Sequence, residues 1–537
     1  MARRRADLLA CLALTALWWL PALWIGVSGE FPINDDWAYA HTVQVLIETG
    51  HFERPAWTWA PSLTNVGIGA LFAWLLGFSH AVLRLCSLTL GWLAVLASFG
   101  LARTVGCAVG GALLAAATLA VNPLFVNLAH SFMTDVGFTA LCVGALWAGA
   151  HALQGPRPTL GLHGRSWGLA ALLAVAAILS RQPGLMLPAA AGGALLLLHR
   201  REPRVWLASG ALVVLGLALY AALPLLYGSG DSGRHMRVLW YLQHRVLSRG
   251  AFYHVAVALL SSGAVLGLSL LPLLARVRAS PRRLALATAF AGLLLALALR
   301  LGLTAPLHLN LLRSDLGLGP MTLPDAPSPP AWGPALWWAL DGLGLFATGV
   351  LGIALLASQR RLHRRPDLWM LLLFPALCLA VLGFQSPYFD RWVLPFVPPL
   401  AVALVAVLGG PVSPSRRASS VALLGALGLW AWLGTADTLA HYRARARVLD
   451  GLLAQGISAD RIDGGFEFNG VHHFARNDRD WSRFKEKPGS RWVVDDEYVV
   501  TLSPELPGYE RLSETPVRRR LPPGEQPIYV LRRRPIR

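Results

Sequence analysis

Apolar runs long enough to cross a lipid bilayer recur along most of the chain. A transmembrane helix needs roughly 17 to 25 predominantly apolar residues, and runs of about this length alternate with short arginine clusters as far as residue 436. Only 14% of the 537 residues are charged, against roughly 25% in an average soluble domain. A water-soluble fold of this composition could not cover its surface with polar groups, so the sequence predicts an all-α polytopic membrane protein.

The positions of the basic residues distinguish a membrane protein from a nucleic-acid-binding protein. A formal net charge of +18 would suit a nucleic-acid-binding protein, but the basic residues fall in short clusters between apolar runs, as in the cytoplasmic loops of membrane proteins. The sequence therefore predicts membrane lipids and no nucleic acid as partners. Lysine occurs only at Lys485 and Lys487. Any anion site in the membrane part must consequently be built from Arg, His or backbone N–H groups.

Arginine clusters also predict a topology. If each cluster is cytoplasmic, about thirteen spans follow, with the N-terminus in the cytoplasm and the C-terminus outside. The first apolar run is longer than the core of a signal peptide, and we interpret it as a retained span. The predicted spans lie near 8–28, 83–103, 107–128, 134–153, 167–180, 184–198, 205–227, 252–275, 284–301, 336–357, 368–384, 392–409 and 419–436.

Two regions outside these spans are predicted to lie on the external side. The first external loop covers residues 29–82, and its apolar part at 63–80 is interpreted as helices at the membrane interface. Composition becomes polar near Ala440. Extended stretches at 491–495, 497–502 and 528–531 then predict a small soluble α/β or β-rich domain. We therefore divide the chain into a transmembrane domain at 1–437 and a soluble extracytoplasmic domain at 438–537.

Acidic residues occur twice where a span meets the external side. Asp35 and Asp36 follow the first span, and Asp135 stands where the fourth span begins. The structural interpretation is helix capping, by Asn34 or Asp35 for a helix at 37–49 and by Thr134 or Asp135 for the fourth span. The functional interpretation is that a carboxylate at the membrane surface acts as a general base toward an acceptor hydroxyl.

Two arginines complete the predicted constellation on the same side. Arg181 and Arg391 each lie in a very short turn between spans, and arginine binds phosphate bidentately more readily than lysine. A phosphate that carries a sugar is a good leaving group without protonation. One carboxylate base then suffices, unlike the paired carboxylates of most glycosidases, while arginines stabilise the charge that develops on the phosphate.

Four stretches resemble the GT-C polyprenyl-phosphate-sugar glycosyltransferases, the superfamily of protein O-mannosyltransferases and lipid A aminoarabinose transferases (glycosyltransferase family 39). The first has an acidic pair, then Tyr39 and Ala40, then a helix that ends at Gly50. The others resemble the start of the family's second span, its third span with the acidic second loop, and a late Arg-Tyr-Leu-Leu-Pro stretch, in which Trp392 replaces the tyrosine. The four stretches are residues 34–52, 81–85, 122–135 and 388–400.

This resemblance implies a GT-C fold and assigns roles by position. Asp35 takes the place of the catalytic first-loop acid, Asp135 that of the second-loop acid, and Arg391 that of the late arginine near the lipid phosphate. Beyond this match, we expect Asp36 and Asp135 to hold the acceptor or sugar, and Arg181 and Arg391 to contact the phosphate. The further substrate- or phosphate-binding candidates within the matching stretches, or close to them, are Arg84, Tyr39 and His51.

The implied function is transfer of a sugar from a polyprenyl-phosphate donor to a lipid, glycan or protein acceptor at the periplasmic face of a bacterial inner membrane. No cofactor is predicted, and a divalent cation held by two acids in a water-rich shell is the most that the sequence offers. Two other classes stay open: a transporter or flippase, and a non-catalytic envelope-assembly protein. The absence of an internal repeat in the sequence weighs against many secondary transporter folds.

Overall fold

A computed structural model provides the structure of the chain. The predicted external loop at 228–251 lies outside the described residues except at its last three positions. The residues that the structure describes are 2–55, 57–58, 60–154, 164–199, 201–227, 249–307, 310–320, 323, 331–363, 365–383, 388–410, 412–477 and 490–535.

The described chain is mostly helical up to residue 454. We number the helices in chain order as α1 Ala2–Ile25, α2 Asp36–Thr49, α3 Leu63–Leu76, α4 His80–Thr104, α5 Val109–Ala120, α6 Pro123–Ala129, α7 Thr134–Leu153, α8 Gly164–Ser180, α9 Met186–His199, α10 Pro203–Tyr227, α11 Arg249–Ser269, α12 Pro281–Arg300, α13 Pro334–Ala357, α14 Gln359–Leu362, α15 Pro366–Leu382, α16 Val397–Val407, α17 Pro414–Ala454 and α18 Phe466–Asn477. Short 3-10 helices stand at Gln182–Leu185, Leu271–Arg276, Asp390–Phe396 and Ala459–Arg461.

Within the described residues, nine helices are long and apolar enough to cross a membrane. A tenth candidate is the pair α5 and α6, which is bent by 60° where the sequence predicts one continuous span. The bend follows from the sequence, because Asn122 accepts a hydrogen bond from the Phe125 backbone N–H and Pro123 occupies the first turn of α6, a start signal for a new helix. Four further apolar helices have 10 to 17 residues, and the count of about thirteen spans stays a prediction.

The interior of the helical part is packed from small and apolar side chains. Helix α7 is buried along most of its length, and it packs against α4 and α8. A Cβ added at Gly91 of α4 would lie 2.5 Å from the ring of Trp18, whose indole N–H donates to the Leu88 carbonyl at 3.0 Å. These contacts fix α1 against α4, and therefore fix where the predicted first external loop begins.

The region after α17 contains the predicted sheet. Its strands are β3 Ile462–Asp463, β4 Tyr498–Thr501, β5 Tyr509–Thr515 and β8 Ile528–Arg533, in the spatial order β3-β4-β8-β5 with only the β3–β4 pair parallel. Two small antiparallel pairs are β1 Leu312–Arg313 with β2 Gly317–Leu318, and β6 Arg518–Arg520 with β7 Pro523–Glu525. Two of the predicted extended stretches, at 497–502 and 528–531, are therefore confirmed.

Two expectations about this region need correction or remain open. Residues 491–495 do not form a strand, because Trp492 takes a left-handed backbone conformation (φ 65°) that turns its ring into a fully buried aromatic cluster. Helix α17 continues for seventeen residues past the predicted domain boundary at 437/438, and the division into two domains stays a prediction.

The region after α17 packs directly on the predicted first external loop. Phe31 and Ile33 of the loop share a buried cluster with Tyr442 of α17 and Phe468 of α18. The rings of Phe31 and Tyr442 are stacked with their centroids 5.8 Å apart. The loop that carries the predicted acids is thus held between the helical part and the C-terminal region.

Candidate active site

Asp35 precedes α2, but its side chain does not cap the helix. It occupies the N-cap position without a side-chain capping hydrogen bond. Its Oδ1 accepts a hydrogen bond from the indole N–H of Trp57 at 2.8 Å, and its Oδ2 accepts one from Arg391 Nη2 at 3.4 Å. The side chain keeps 22% of its surface exposed. The capping interpretation is therefore wrong for this carboxylate, which is oriented toward a buried cation.

Arg391 lies at the centre of the site. The 3-10 helix Asp390–Phe396 carries it, and Asp390 fixes that helix by accepting hydrogen bonds from the backbone N–H groups of Leu311 and Leu312 at 2.9 and 2.8 Å. Arg391 Nε lies 3.8 Å from Asp135 Oδ2, beyond hydrogen-bonding distance. Within the described part of the chain, Nε and Nη1 of this buried guanidinium have no hydrogen-bond acceptor. Two donor groups at the centre of the site are therefore available for an anion.

Asp135 and Arg181 extend the constellation. Arg181 Nη1 donates to Asp135 Oδ1 at 2.5 Å and to Thr134 Oγ1 at 3.2 Å. Met133, and neither Thr134 nor Asp135, occupies the N-cap position of α7, so the capping interpretation is wrong here as well. Four predicted residues thus form one chain of contacts in the order Asp35, Arg391, Asp135 and Arg181.

Asp36 has a different environment from its neighbour. Its Oδ1 accepts a hydrogen bond from the Ile33 backbone N–H at 2.5 Å, and its Oδ2 accepts one from the Phe132 backbone N–H at 3.0 Å. The side chain is buried, and this burial raises its pKa to about 7. Oδ1 closes a turn within the predicted first external loop, and Oδ2 joins that loop to the segment before α7. These bonds favour a structural role for Asp36, and its expected role in holding acceptor or sugar stays a prediction.

The three remaining candidates lie in different surroundings. Tyr39 is buried within electrostatic range of Asp35, Arg181 and Arg391, and burial raises its pKa to about 12. Arg84 donates to the backbone carbonyls of Val27, Gly29 and Phe31. His51 is exposed after α2, and its described hydrogen bond runs from its backbone N–H to Thr49 Oγ1. The structure brings Tyr39 to the site, uses Arg84 to hold the loop, and leaves His51 outside the chain of contacts.

The sequence did not predict the cluster of aromatic side chains beside Asp35. Trp57 packs against Phe466 and Trp492 with ring centroids 5.5 and 5.1 Å apart, and the guanidinium of Arg491 lies 5.0 Å from the Trp57 ring centre. These partners are more than 400 residues from Trp57 in the sequence. Tryptophan is enriched in the segment around Trp57 and in the segment around Trp492. This enrichment was the available signal, but tryptophans are also common at membrane interfaces.

The described residues offer no cluster of side chains of the kind that holds a metal ion. Among them, no group of three or more His, Cys, Asp or Glu side chains is arranged to hold a metal ion. Each of the two acids on either side of Arg391 has one oxygen that accepts a hydrogen bond from a guanidinium group. The donor set of the site therefore fits an anion better than a cation.

Comparison with known families supports the superfamily resemblance over part of the chain. Residues 68–227 match the family described as dolichyl-phosphate-mannose-protein mannosyltransferase. The match confirms the predicted similarity to the GT-C glycosyltransferase superfamily and indicates a membrane glycosyltransferase. No curated protein sequence matches the chain.

Three solved structures are similar to the chain at low identity. ArnT from Cupriavidus metallidurans bound to undecaprenyl phosphate is 14% identical, with a TM-score of 0.44 over 84% of this chain and 72% of that chain. The Archaeoglobus fulgidus oligosaccharyltransferase in the apo form is 16% identical, with a TM-score of 0.43 over 81% and 56%. The S. cerevisiae protein O-mannosyltransferase Pmt1-Pmt2 complex bound to the sugar donor is 15% identical, with a TM-score of 0.31 over 46% and 34%.

Proposed function

We propose that this protein transfers a sugar from a polyprenyl phosphate to an acceptor at the non-cytoplasmic face of the membrane. One observation carries the proposal: Asp35, Arg391, Asp135 and Arg181, which come from four separate segments, form one continuous chain of contacts. A partly exposed carboxylate stands at one end, next to a buried guanidinium with two available donors. This combination suits an acceptor hydroxyl and a departing phosphate.

In the proposed reaction, the acceptor oxygen forms a bond to the anomeric carbon of the sugar. The bond from that carbon to the phosphate oxygen breaks, and its electron pair leaves with the phosphate. The acceptor proton passes to the Asp35 carboxylate, so that charge and atoms balance. A general base of this kind typically contributes roughly 10²- to 10⁴-fold to the rate.

Arg391 acts on the leaving group. Its Nε and Nη1 donate to the phosphate oxygens, where negative charge accumulates as the bond breaks, and preorganised donors at such a position usually supply a large part of the stabilisation. Arg181 neutralises Asp135 at 2.5 Å. That pair keeps the second carboxylate from repelling an incoming phosphate, and Asp135 in turn orients Arg391.

An acceptor that is itself a phosphate changes the role of Asp35. Such an oxygen is already deprotonated and needs no base, so Asp35 would then only orient the acceptor. The two cases differ in the expected effect of removing the carboxylate. Loss of a base lowers the chemical rate, whereas loss of an orienting group weakens acceptor binding as well.

The decisive experiment measures transfer of radiolabelled sugar by the purified full-length protein in lipid vesicles. The donors are undecaprenyl phosphates carrying mannose, glucose, arabinose or aminoarabinose, and label is counted in the lipid and protein fractions of added membranes. We expect transfer from at least one donor and a loss of about 10²-fold or more in Asp35→Asn. The matched control is Glu53→Gln, an exposed acid in the same external loop.

The outcomes separate the candidate functions. Undiminished transfer by Asp35→Asn would contradict its assigned role. Absence of transfer with every donor would favour an envelope-assembly protein, and uptake of unmodified donor across the vesicle membrane would favour a flippase.

A further inference from the structure

Glu467, in the first turn of α18, reaches from the C-terminal region to the backbone beside Asp35. Its carboxylate is fully buried. Oε1 accepts a hydrogen bond from the backbone N–H of Asn34 at 3.0 Å and another from the Tyr442 hydroxyl at 2.6 Å, while Oε2 accepts one from Arg445 Nη2 at 2.8 Å. The pair with Arg445 supplies the opposite charge that a buried carboxylate needs.

The residue held by Glu467 sets the direction of the turn. Asn34 has a φ of 58°, in the left-handed region that few residues other than glycine adopt. The backbone N–H of Asp36 then bonds to the Ile33 carbonyl at 3.4 Å, which closes the turn that contains Asp35. A left-handed residue directly before Asp35 decides where that carboxylate is presented, and the hydrogen bond from its N–H to Glu467 favours this conformation.

The same turn of α18 holds the second partner of Asp35. Phe466 packs on the ring of Trp57, and the Trp57 indole N–H donates to Asp35 Oδ1. Consecutive residues of α18 therefore fix both the backbone before Asp35 and the hydrogen-bond donor to its carboxylate. A helix that served only to attach the C-terminal region would not need to contact both.

We infer that Glu467 is a positioning residue for Asp35 and that the C-terminal region is part of the transfer site. This inference rests on the proposed function and extends it to a residue that does not touch the reacting groups. A displacement of about 1 Å in a catalytic group can cost roughly 10²-fold in rate. Loss of the Glu467 carboxylate should therefore lower kcat while the donor KM, which depends on Arg391 and the membrane helices, changes little.

The test is a double-mutant cycle on the full-length protein, with undecaprenyl-phosphate sugar as donor. We expect Glu467→Gln to lower kcat about 10-fold or more, to leave the donor KM within about 2-fold, and to have no further effect in the Asp35→Asn background. Glu467→Asp keeps the negative charge but shortens the reach toward Asn34, so it should lower kcat too, and it serves as the second variant if Gln prevents folding.

Arg443→Gln is the matched control. Arg443 lies on the same helix as Arg445 and donates to the carbonyls of Ile25, Gly26 and Ser28, near the start of the same external loop. It should lower the melting temperature with little change in kcat. An equal fall of kcat in this control would indicate a general loosening of the loop and would overturn the inference.

The remaining outcomes separate this inference from the proposed function. A fall of kcat with Asp35→Asn but not with either Glu467 variant overturns the positioning role and leaves the proposed function standing. Losses that multiply in the double variant overturn it as well, because Glu467 would then act independently of Asp35. Absence of transfer by the wild-type protein overturns both.

Discussion

Asp35 and Asp36 are neighbours in the sequence with opposite environments in the structure. Asp35 is partly exposed and faces Arg391, whereas Asp36 is buried with both oxygens bonded to backbone N–H groups. The sequence indicates only that two acids stand at the membrane surface. The difference between their environments depends on the left-handed conformation of Asn34 and on the position of Phe132. Asparagine tolerates that conformation more readily than most residues, but the position of Phe132 depends on tertiary packing.

The buried Asp36 carboxyl predicts a pH dependence of stability. Burial raises its pKa from 3.8 to about 7. Between about pH 4 and 7 the folded chain therefore binds this proton more strongly than the unfolded chain, and the contribution to stability falls as pH rises through that window. We expect the melting temperature of the wild-type protein to fall, relative to that of Asp36→Asn, as pH is raised from 5 to 7. Parallel melting curves across this range would contradict the prediction.

At the scale of elements, the contact between α2 and α18 depends on a missing side chain. A Cβ at Gly470 of α18 would lie 2.5 Å from the ring of Trp37 in α2. That ring also packs against Phe474 and Trp492 with centroids 5.2 and 5.7 Å apart. The two helices therefore approach closely only because residue 470 is glycine.

Gly470→Ala should consequently separate α18 from α2. We expect a loss of about 1 to 3 kcal/mol in stability from overpacking, together with a lower transfer rate, since Glu467 lies on the same helix. Thermal unfolding and the transfer assay measure the two effects. The control is Gly451→Ala in α17, where a Cβ meets nothing within 4 Å and alanine should stabilise the helix by about 0.5 to 1 kcal/mol. Equal effects at both positions would contradict the argument.

Element prediction succeeded where local signals were strong. Helix α2 ends at Gly50, whose φ of 74° and backbone bond to the Leu46 carbonyl form the expected glycine C-cap. The strands at 498–501 and 528–533 follow stretches rich in β-branched and aromatic residues. The stretch at 491–495 has a similar composition but is not a strand, because tertiary packing draws the Trp492 ring into the cluster around Trp37.

At the scale of the whole molecule, the predicted topology is consistent with the site. Asp35, Asp135, Arg181 and Arg391 were all assigned to the external side from the order of the arginine clusters, and the structure brings them within contact of one another. Residues predicted on opposite faces could not meet in this way across a bilayer about 30 Å thick. Their meeting does not indicate which face is cytoplasmic, and that assignment stays a prediction.

Labelling from one side of the membrane tests the orientation. In a background whose five cysteines are replaced by alanine, Arg5→Cys and Arg511→Cys each place one thiol at an exposed position. We expect a membrane-impermeant maleimide to label Arg511→Cys in intact bacterial spheroplasts and to label Arg5→Cys only after lysis. Labelling of Arg5→Cys alone before lysis would indicate a topology opposite to the predicted one. Labelling of both variants before lysis would indicate an even number of crossings between the two positions.

The membrane class, the two acidic segments and the two turn arginines could be predicted from the sequence, because apolar run length, arginine placement and family motifs are properties of short segments. Which carboxylate faces the cation, the structural use of Arg84, and the entry of Trp57, Phe466 and Glu467 into the site depend on contacts between distant segments. The bond from Asn34 to Glu467 joins residues 433 positions apart. No local preference encodes such a contact. It forms only when packing of the two regions removes water from both groups, so that each group becomes the best available hydrogen-bond partner of the other.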